Sequence, residues 1–214
     1  MQCHYSNMDC QSIGFSEMPR TGTDASGRLQ RAALELFAEK GFKETTVPEI
    51  AQRAGMTTRS FFRHYADKRE VLFVGDDEIP ARIAGLMASR PPGLSVSDLI
   101  LWGVQTIGRE HIEPQRAYLI ARRAIVQTDP GLRERDLRKQ DDLVETITHA
   151  LQAEGLDTTT AIMVGKITNA VSTTAVESWL NDQQERPLSE HISNAHRAFT
   201  RAAVETEDPF ETQA

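Results

Sequence analysis

Cysteine occurs only at Cys3 and Cys10, both ahead of the first periodic apolar segment, so no disulfide framework can hold the core. Aromatic residues make up 6% of the 214 positions, and the 39% hydrophobic content is enough for a globular core of one or two domains. No apolar run approaches the roughly 18 residues of a membrane span, and no basic-then-apolar segment resembles a signal peptide, so a cytoplasmic location is expected. A glycine-rich phosphate loop, an H-E-x-x-H pair and a nucleophile elbow are all missing. The histidines His64, His111, His149, His191 and His196 are scattered, with no two set four apart as zinc ligands. Expected from these absences are no catalytic residue, no metal and no cofactor. Cys3, His4, Asp9 and Cys10 could be read as a metal set, but the segment reads better as a disordered tail. The natural start is expected at Met1 or at Met18, which precedes the first helix.

Positive charge is also short, with a formal net charge of −7. It is unevenly spread. Residues 20–75 carry ten Lys or Arg against seven acids, whereas residues 76–214 carry fourteen against twenty-two. Screening limits the reach of charge to roughly 10 Å, so local charge decides attraction to phosphate.

The basic part contains TTVPEIAQRAGMTTRSFFRHYADKREVLF, residues 45–73. Thr46 with Glu49 forms a capping box, and Pro48 sits in the first turn, where no intrahelical donor is needed. Ala54, Gly55 and Met56 break that helix, and Thr57 caps a second one. Phe61 and Tyr65, four apart, face inward, which leaves Thr58, Arg59, Ser60, Phe62, Arg63 and His64 on the outer and flanking surfaces. A helix of about eight residues is roughly 12 Å long, the width of the major groove of B-DNA. Arginine can pair bidentately with guanine, and hydroxyls reach base edges or phosphates. The candidate DNA-binding set is Thr46, Thr57, Thr58, Arg59, Ser60, Phe62, Arg63, His64 and Lys68, the last at the positive end of a helix capped by Asp67. An ordinary helical hairpin with a solvated face is the other reading of the same spacing.

The run LQRAALELFAEKGFKETTVPEIAQRAGMTTRSFFRHYADKREVLF, Leu29 to Phe73, resembles the N-terminal domain of the TetR family of transcriptional regulators. Its pattern is AA-x-x-LF-x-x-x-GF, then TTV-x-x-IA-x-x-AG, an aromatic pair and D-K-x-x-x-L. The resemblance implies a homodimer on a near-palindromic operator, released by a small molecule in the C-terminal domain. Two positions depart from the common pattern. Arg59 stands where many members carry glycine, and Phe62 where many carry tyrosine, which removes a phenol hydroxyl for phosphate.

Beyond residue 73 the pattern is helix after helix, without alternating strand signals. The expected fold is all-α, about nine helices, with a three-helix DNA-binding domain over 23–72, a ligand-binding and dimerisation bundle over 73–206, and tails at 1–22 and 207–214. One helix is expected from Asp67 to Ala88, linking the two domains. Later helices are expected from Ser97 to about His111, from Pro114 to before Asp129, and over Leu132–Ala153, Thr158–Leu180 and Leu188–Val204. Met163, Ile167, Ala170, Val171, Thr174 and Ala175, extended by Trp179, form a stripe on the penultimate helix that suits dimerisation through the last two helices. Trp102, Ile107, Tyr118, Ile125, Val144 and Ile147 are candidate pocket walls, or plain core. Arg122 and Arg123 are adjacent, so they face different ways, and Arg122 is the candidate for a phosphate inside the pocket. The segment RRAIVQTDPGLRERDLRKQDDL resembles the C-terminal domain of actinobacterial, mycofactocin-type regulators, which implies an acyl-CoA-like effector. Two further readings stay open. One is a constitutive helix-turn-helix DNA binder without an effector; the other, more distant, is an all-helical enzyme.

Overall fold

The computed structural model describes residues 25–73, 75 and 78–204. Cys3, His4, Asp9, Cys10, Met18 and the expected tails at 1–22 and 207–214 lie outside the described residues. Among the described residues there is no strand, and nine α-helices follow one another. They are α1 (Ala25–Lys40), α2 (Val47–Arg53), α3 (Thr58–His64), α4 (Ile79–Ala88), α5 (Val96–Ile107), α6 (Arg116–Val126), α7 (Pro130–Ala153), α8 (Thr158–Leu180) and α9 (Leu188–Val204). The all-α expectation holds, and no described helix is long and apolar enough to cross a membrane.

The described residues fall into two compact units: the chain up to Ile79 with Gln115–Gln140, and Pro80–Pro114 with the chain from Asp141 onward. In the first, Leu29, Leu34, Phe37, Ile50, Phe61, Val71 and Leu72 are buried together with Ile125, Val126 and Leu132. Thus α6 and the start of α7 share a core with α1, α2 and α3, although more than forty residues of sequence intervene. Each such side chain removed from water is worth about 1.5–3 kcal/mol, so Ile125 and Leu132 are part of what holds this unit together. In the second unit, α8 and α9 pack as a hairpin against α5. Leu188, Ile192 and Trp179 are buried there. Close approach is built from glycine: a Cβ on Gly108 would meet the Ile192 side chain at 2.8 Å, and one on Gly165 would meet Thr148 Oγ1 at 2.9 Å.

The long helix expected from Asp67 to Ala88 is not formed. Asp67 does cap, its Oδ1 accepting from Arg69 N (2.7 Å) and Glu70 N (3.1 Å), but only a 3-10 turn over Glu70–Leu72 follows. Two causes are visible. The Leu72 carbonyl accepts from Tyr118 Oη (2.8 Å) and Arg122 Nε (2.9 Å) instead of from an amide four residues on. Gly75 then adopts φ +88°, a left-handed angle outside any α-helix. Helix α4 begins only at Ile79, with Pro80 in its first turn, where a missing N–H costs nothing. Helix α5 likewise ends at Ile107, short of His111, and a π-helical turn over Gly108–Ile112 follows.

Candidate nucleic-acid interface

Helices α2 and α3 are short because each has a cap at its start and a breaker at its end. The Glu49 carboxylate accepts from Thr46 N (2.8 Å) and Thr46 Oγ1 (2.6 Å), and Lys40 Nζ reaches it at 2.5 Å. Lys40 first, with the Thr46 hydroxyl and amide, holds that carboxyl down to about 2. Gly55 (φ +67°) turns the chain after α2. Thr57 Oγ1 then accepts from Ser60 N at 3.1 Å and opens α3. Phe61 is fully buried, and Tyr65 Oη meets Ser26 Oγ at 2.7 Å, which ties the end of α3 to the first turn of α1.

The face of α3 opposite Phe61 is open. Phe62 is 55% exposed, and Arg59, Arg63 and His64 are exposed with it. Nearby cations are paired: Arg53 makes two bonds to Glu39 (2.8 and 2.7 Å), which hold the Glu39 carboxyl below its ordinary range, and Arg69 meets Asp67. No ion pair or hydrogen bond engages the guanidinium of Arg59 or of Arg63 among the described residues. Unpaired arginines beside an exposed aromatic ring supply five N–H donors apiece and a flat apolar surface, a combination suited to base edges and thymine methyls. Thr58 and Ser60 flank them, half-buried, while Thr46 and Thr57 use their hydroxyls as helix caps.

Lys68 departs from its expected place at a phosphate. Its Nζ donates to Phe42 O (2.6 Å) and Thr45 O (2.7 Å), lies 3.4 Å from Lys43 O, and stands 4.2 Å over the Phe42 ring. Burial pushes the ammonium below the ordinary lysine range. It holds the α1–α2 loop, where Thr45 Oγ1 also donates to Gly41 O at 2.9 Å. No sequence motif singles out Arg28. It is exposed in the first turn of α1, two residues from Ser26, and only the Ser26–Tyr65 bond, between residues 39 apart, shows that this turn adjoins the end of α3.

The other candidate residues do not all come together. Tyr118, Arg122 and Ile125 belong to the first unit; Trp102, Ile107, Val144 and Ile147, each half-buried, belong to the second. Arg122 donates to Leu72 O and pairs with Asp136, and Ile125 is buried in the helix-turn-helix core. In the α8 stripe, Met163 (53% exposed), Ala170 and Thr174 face outward with Ile167 half-buried, whereas Val171, Ala175 and Trp179 are buried inside their own chain. Val171 and Trp179 therefore have no surface to offer a second copy. No group of His, Cys, Asp or Glu among the described residues is placed to hold a metal ion.

Residues 29–73 match the model of the bacterial regulatory proteins of the tetR family. The transcriptional regulator TcmR of Streptomyces glaucescens is 30% identical over 136 residues, which span 61% of this chain and 60% of that protein. The putative mycofactocin biosynthesis regulator MftR of Mycobacterium tuberculosis is 26% identical over 174 residues, 78% of this chain and 86% of that one. Among solved structures, NalD, the secondary repressor of the MexAB-OprM efflux pump in Pseudomonas aeruginosa, shares the fold with a TM-score of 0.54 at 19% identity, over 83% of this chain and 94% of that chain.

Proposed function

We propose that this chain, whose residues 29–73 match the model of the tetR-family regulatory proteins, is a transcriptional regulator of that family and binds a near-palindromic operator as a homodimer in the cytoplasm. It acts there as a repressor that a small molecule releases. The observation that carries the reading is the outer face of α3, where Arg59 and Arg63 have no partner among the described residues and Phe62 is exposed. Arg59 reads a base, Thr58, Ser60, Arg63 and His64 flank it, and Phe62 packs on sugar or a thymine methyl. Arg28 replaces Lys68 as the candidate phosphate contact. The second copy docks on Met163, Ile167, Ala170 and Thr174 of α8, where small residues allow helices to approach closely.

For the effector, an apolar molecule against Trp102, Ile107, Val144 and Ile147 is favoured. Arg122, expected to meet the phosphate of an acyl-CoA, already serves Asp136 and Leu72 O. No catalytic role forms part of this reading.

The experiment is selection of binding sites from random duplex DNA, followed by affinity measurements. The wild-type protein should recover paired, inverted half-sites. Arg59→Ala should weaken binding by about 1–3 kcal/mol, with the loss concentrated at one base pair of each half-site. An equal loss on every sequence, random DNA included, would make Arg59 a phosphate contact. Recovery of no preferred sequence by the wild type would end the operator reading.

A further inference from the structure

Helix α3, TRSFFRH, contains no Asp, Glu, Asn or Gln. It therefore has no carboxylate to accept from cytosine N4 and no side-chain amide to pair with adenine. Two nearby hydroxyls are committed to the start of the helix. Thr57 Oγ1 and Ser60 Oγ lie 3.0 Å apart, and Thr57 Oγ1 also accepts from Ser60 N at 3.1 Å. What the outer face offers instead is the exposed guanidinium of Arg59, without a partner among the described residues, and the ring of Phe62. A guanidinium has donors alone, and among the bases only guanine presents two acceptors side by side in the major groove. A phenyl ring has neither donor nor acceptor, and the apolar group in that groove is the C5-methyl of thymine. The ring is also braced. Phe62 stands edge-to-face on the fully buried Phe61, with ring centres 5.5 Å apart and planes at 84°.

We propose that Phe62 reads a methyl group and Arg59 anchors it on guanine, so that each half-site carries a pyrimidine C5-methyl within one or two base pairs of a guanine. The inference rests on the operator reading above and names the base chemistry that reading leaves open. Side chains three apart on a helix start about 5–6 Å from one another. Successive bases are about 3.4 Å apart along a strand, so the two contacts fall one or two base pairs apart. The ring recognises a methyl group and no hydrogen-bond pattern, so 5-methylcytosine serves it as thymine does. Binding therefore responds to methylation of a cytosine placed at that position.

The test places single base analogues in the half-sites that selection from random duplex DNA recovers. Uracil in place of the thymine beside the guanine removes the methyl group alone. Wild-type affinity should fall about fourfold for each half-site altered, the worth of one methyl group taken out of water. 7-Deazaguanine removes the N7 acceptor and should cost about tenfold or more, as loss of a hydrogen bond to a charged group does. With cytosine at the thymine position, methylation at C5 should regain about fourfold. In Phe62→Ala the uracil penalty should vanish while the 7-deazaguanine penalty stays, and in Arg59→Ala the reverse. A merely structural role for either residue would weaken every duplex alike and leave both penalties in place, which would overturn the proposal. The analogues act on the unaltered protein, so the uracil and 5-methylcytosine series carries the test should Phe62→Ala fail to fold. Paired half-sites that lack guanine, or that show no uracil penalty at any thymine, would overturn this inference and leave the operator reading standing. A wild type that recovers no preferred sequence would overturn the operator reading, and this inference with it.

Discussion

An ammonium group has three N–H donors, and around Lys68 Nζ there are three carbonyl oxygens and the face of Phe42. With its donors turned into the α1–α2 loop, Lys68 has none left for a phosphate. Lys68→Met should therefore act on folding. Leaving two carbonyls without their donor costs about 1–3 kcal/mol, read as a lower melting temperature in thermal unfolding. Operator binding by the folded variant should keep its salt dependence. A slope flattened by about 0.9 per subunit would return Lys68 to the phosphate backbone. The contrast with Arg59 lies in the neighbourhood. Both are cations in one basic stretch of sequence, but carbonyls converge on one and solvent surrounds the other.

At the scale of the element, α8 has one face buried in its own chain and one exposed. Ala161, Val164, Gly165, Val171, Ala175 and Trp179 are buried against their own chain, while Met163, Ala170 and Thr174 are exposed. The apolar stripe at three and four spacing is legible in sequence, but it spans both faces, since small apolar residues suit a core and an interface equally. Only packing against α5, α7 and α9 assigns them. Ala170→Glu should leave the subunit folded, its circular dichroism and melting unchanged, because the position faces outward. At the proposed dimer interface it would bury a carboxylate without a partner, which should raise the dimer dissociation constant by about a hundredfold or more. Sedimentation at low micromolar concentration then shows monomer, and a dimer of wild-type stability would place the interface elsewhere. Helix α4 makes the same point about ends. Asp67 and Glu70 carry a cap signal that the chain obeys for one turn, until the side chains of α6 take the Leu72 carbonyl.

For the whole molecule, the proposed release of DNA by an effector is a matter of linkage. A ligand that weakens operator binding by some factor must itself bind the operator complex more weakly by that factor, typically 5- to 150-fold. Calorimetric titration of a long-chain acyl-CoA into free protein and into the operator complex measures both sides. Weaker binding to the complex is expected of an inducer. Equal affinities would discard acyl-CoA as the inducer, and no binding to either form would leave the uncharged apolar ligand that the position of Arg122 favours.

The sequence alone determined the helical class, the helix-turn-helix and its outward residues, because these depend on local rules. Caps at Thr46 and Thr57, the turn at Gly55 and the spacing of Phe61 and Tyr65 act within a few residues of themselves. The ranges of α8 and α9 were legible for the same reason. Tertiary structure decided which unit each helix joins and which partner each long polar side chain finds. Tyr118, Arg122 and Ile125 lie in a segment whose pattern is that of any amphipathic helix, and the pattern does not say against what the apolar face is buried. Their partners, Leu72, Phe73 and the core of α1–α3, lie some fifty residues away in the chain. Hydrogen bonds and apolar burial at such separations follow from three-dimensional proximity, which no spacing rule along the chain encodes.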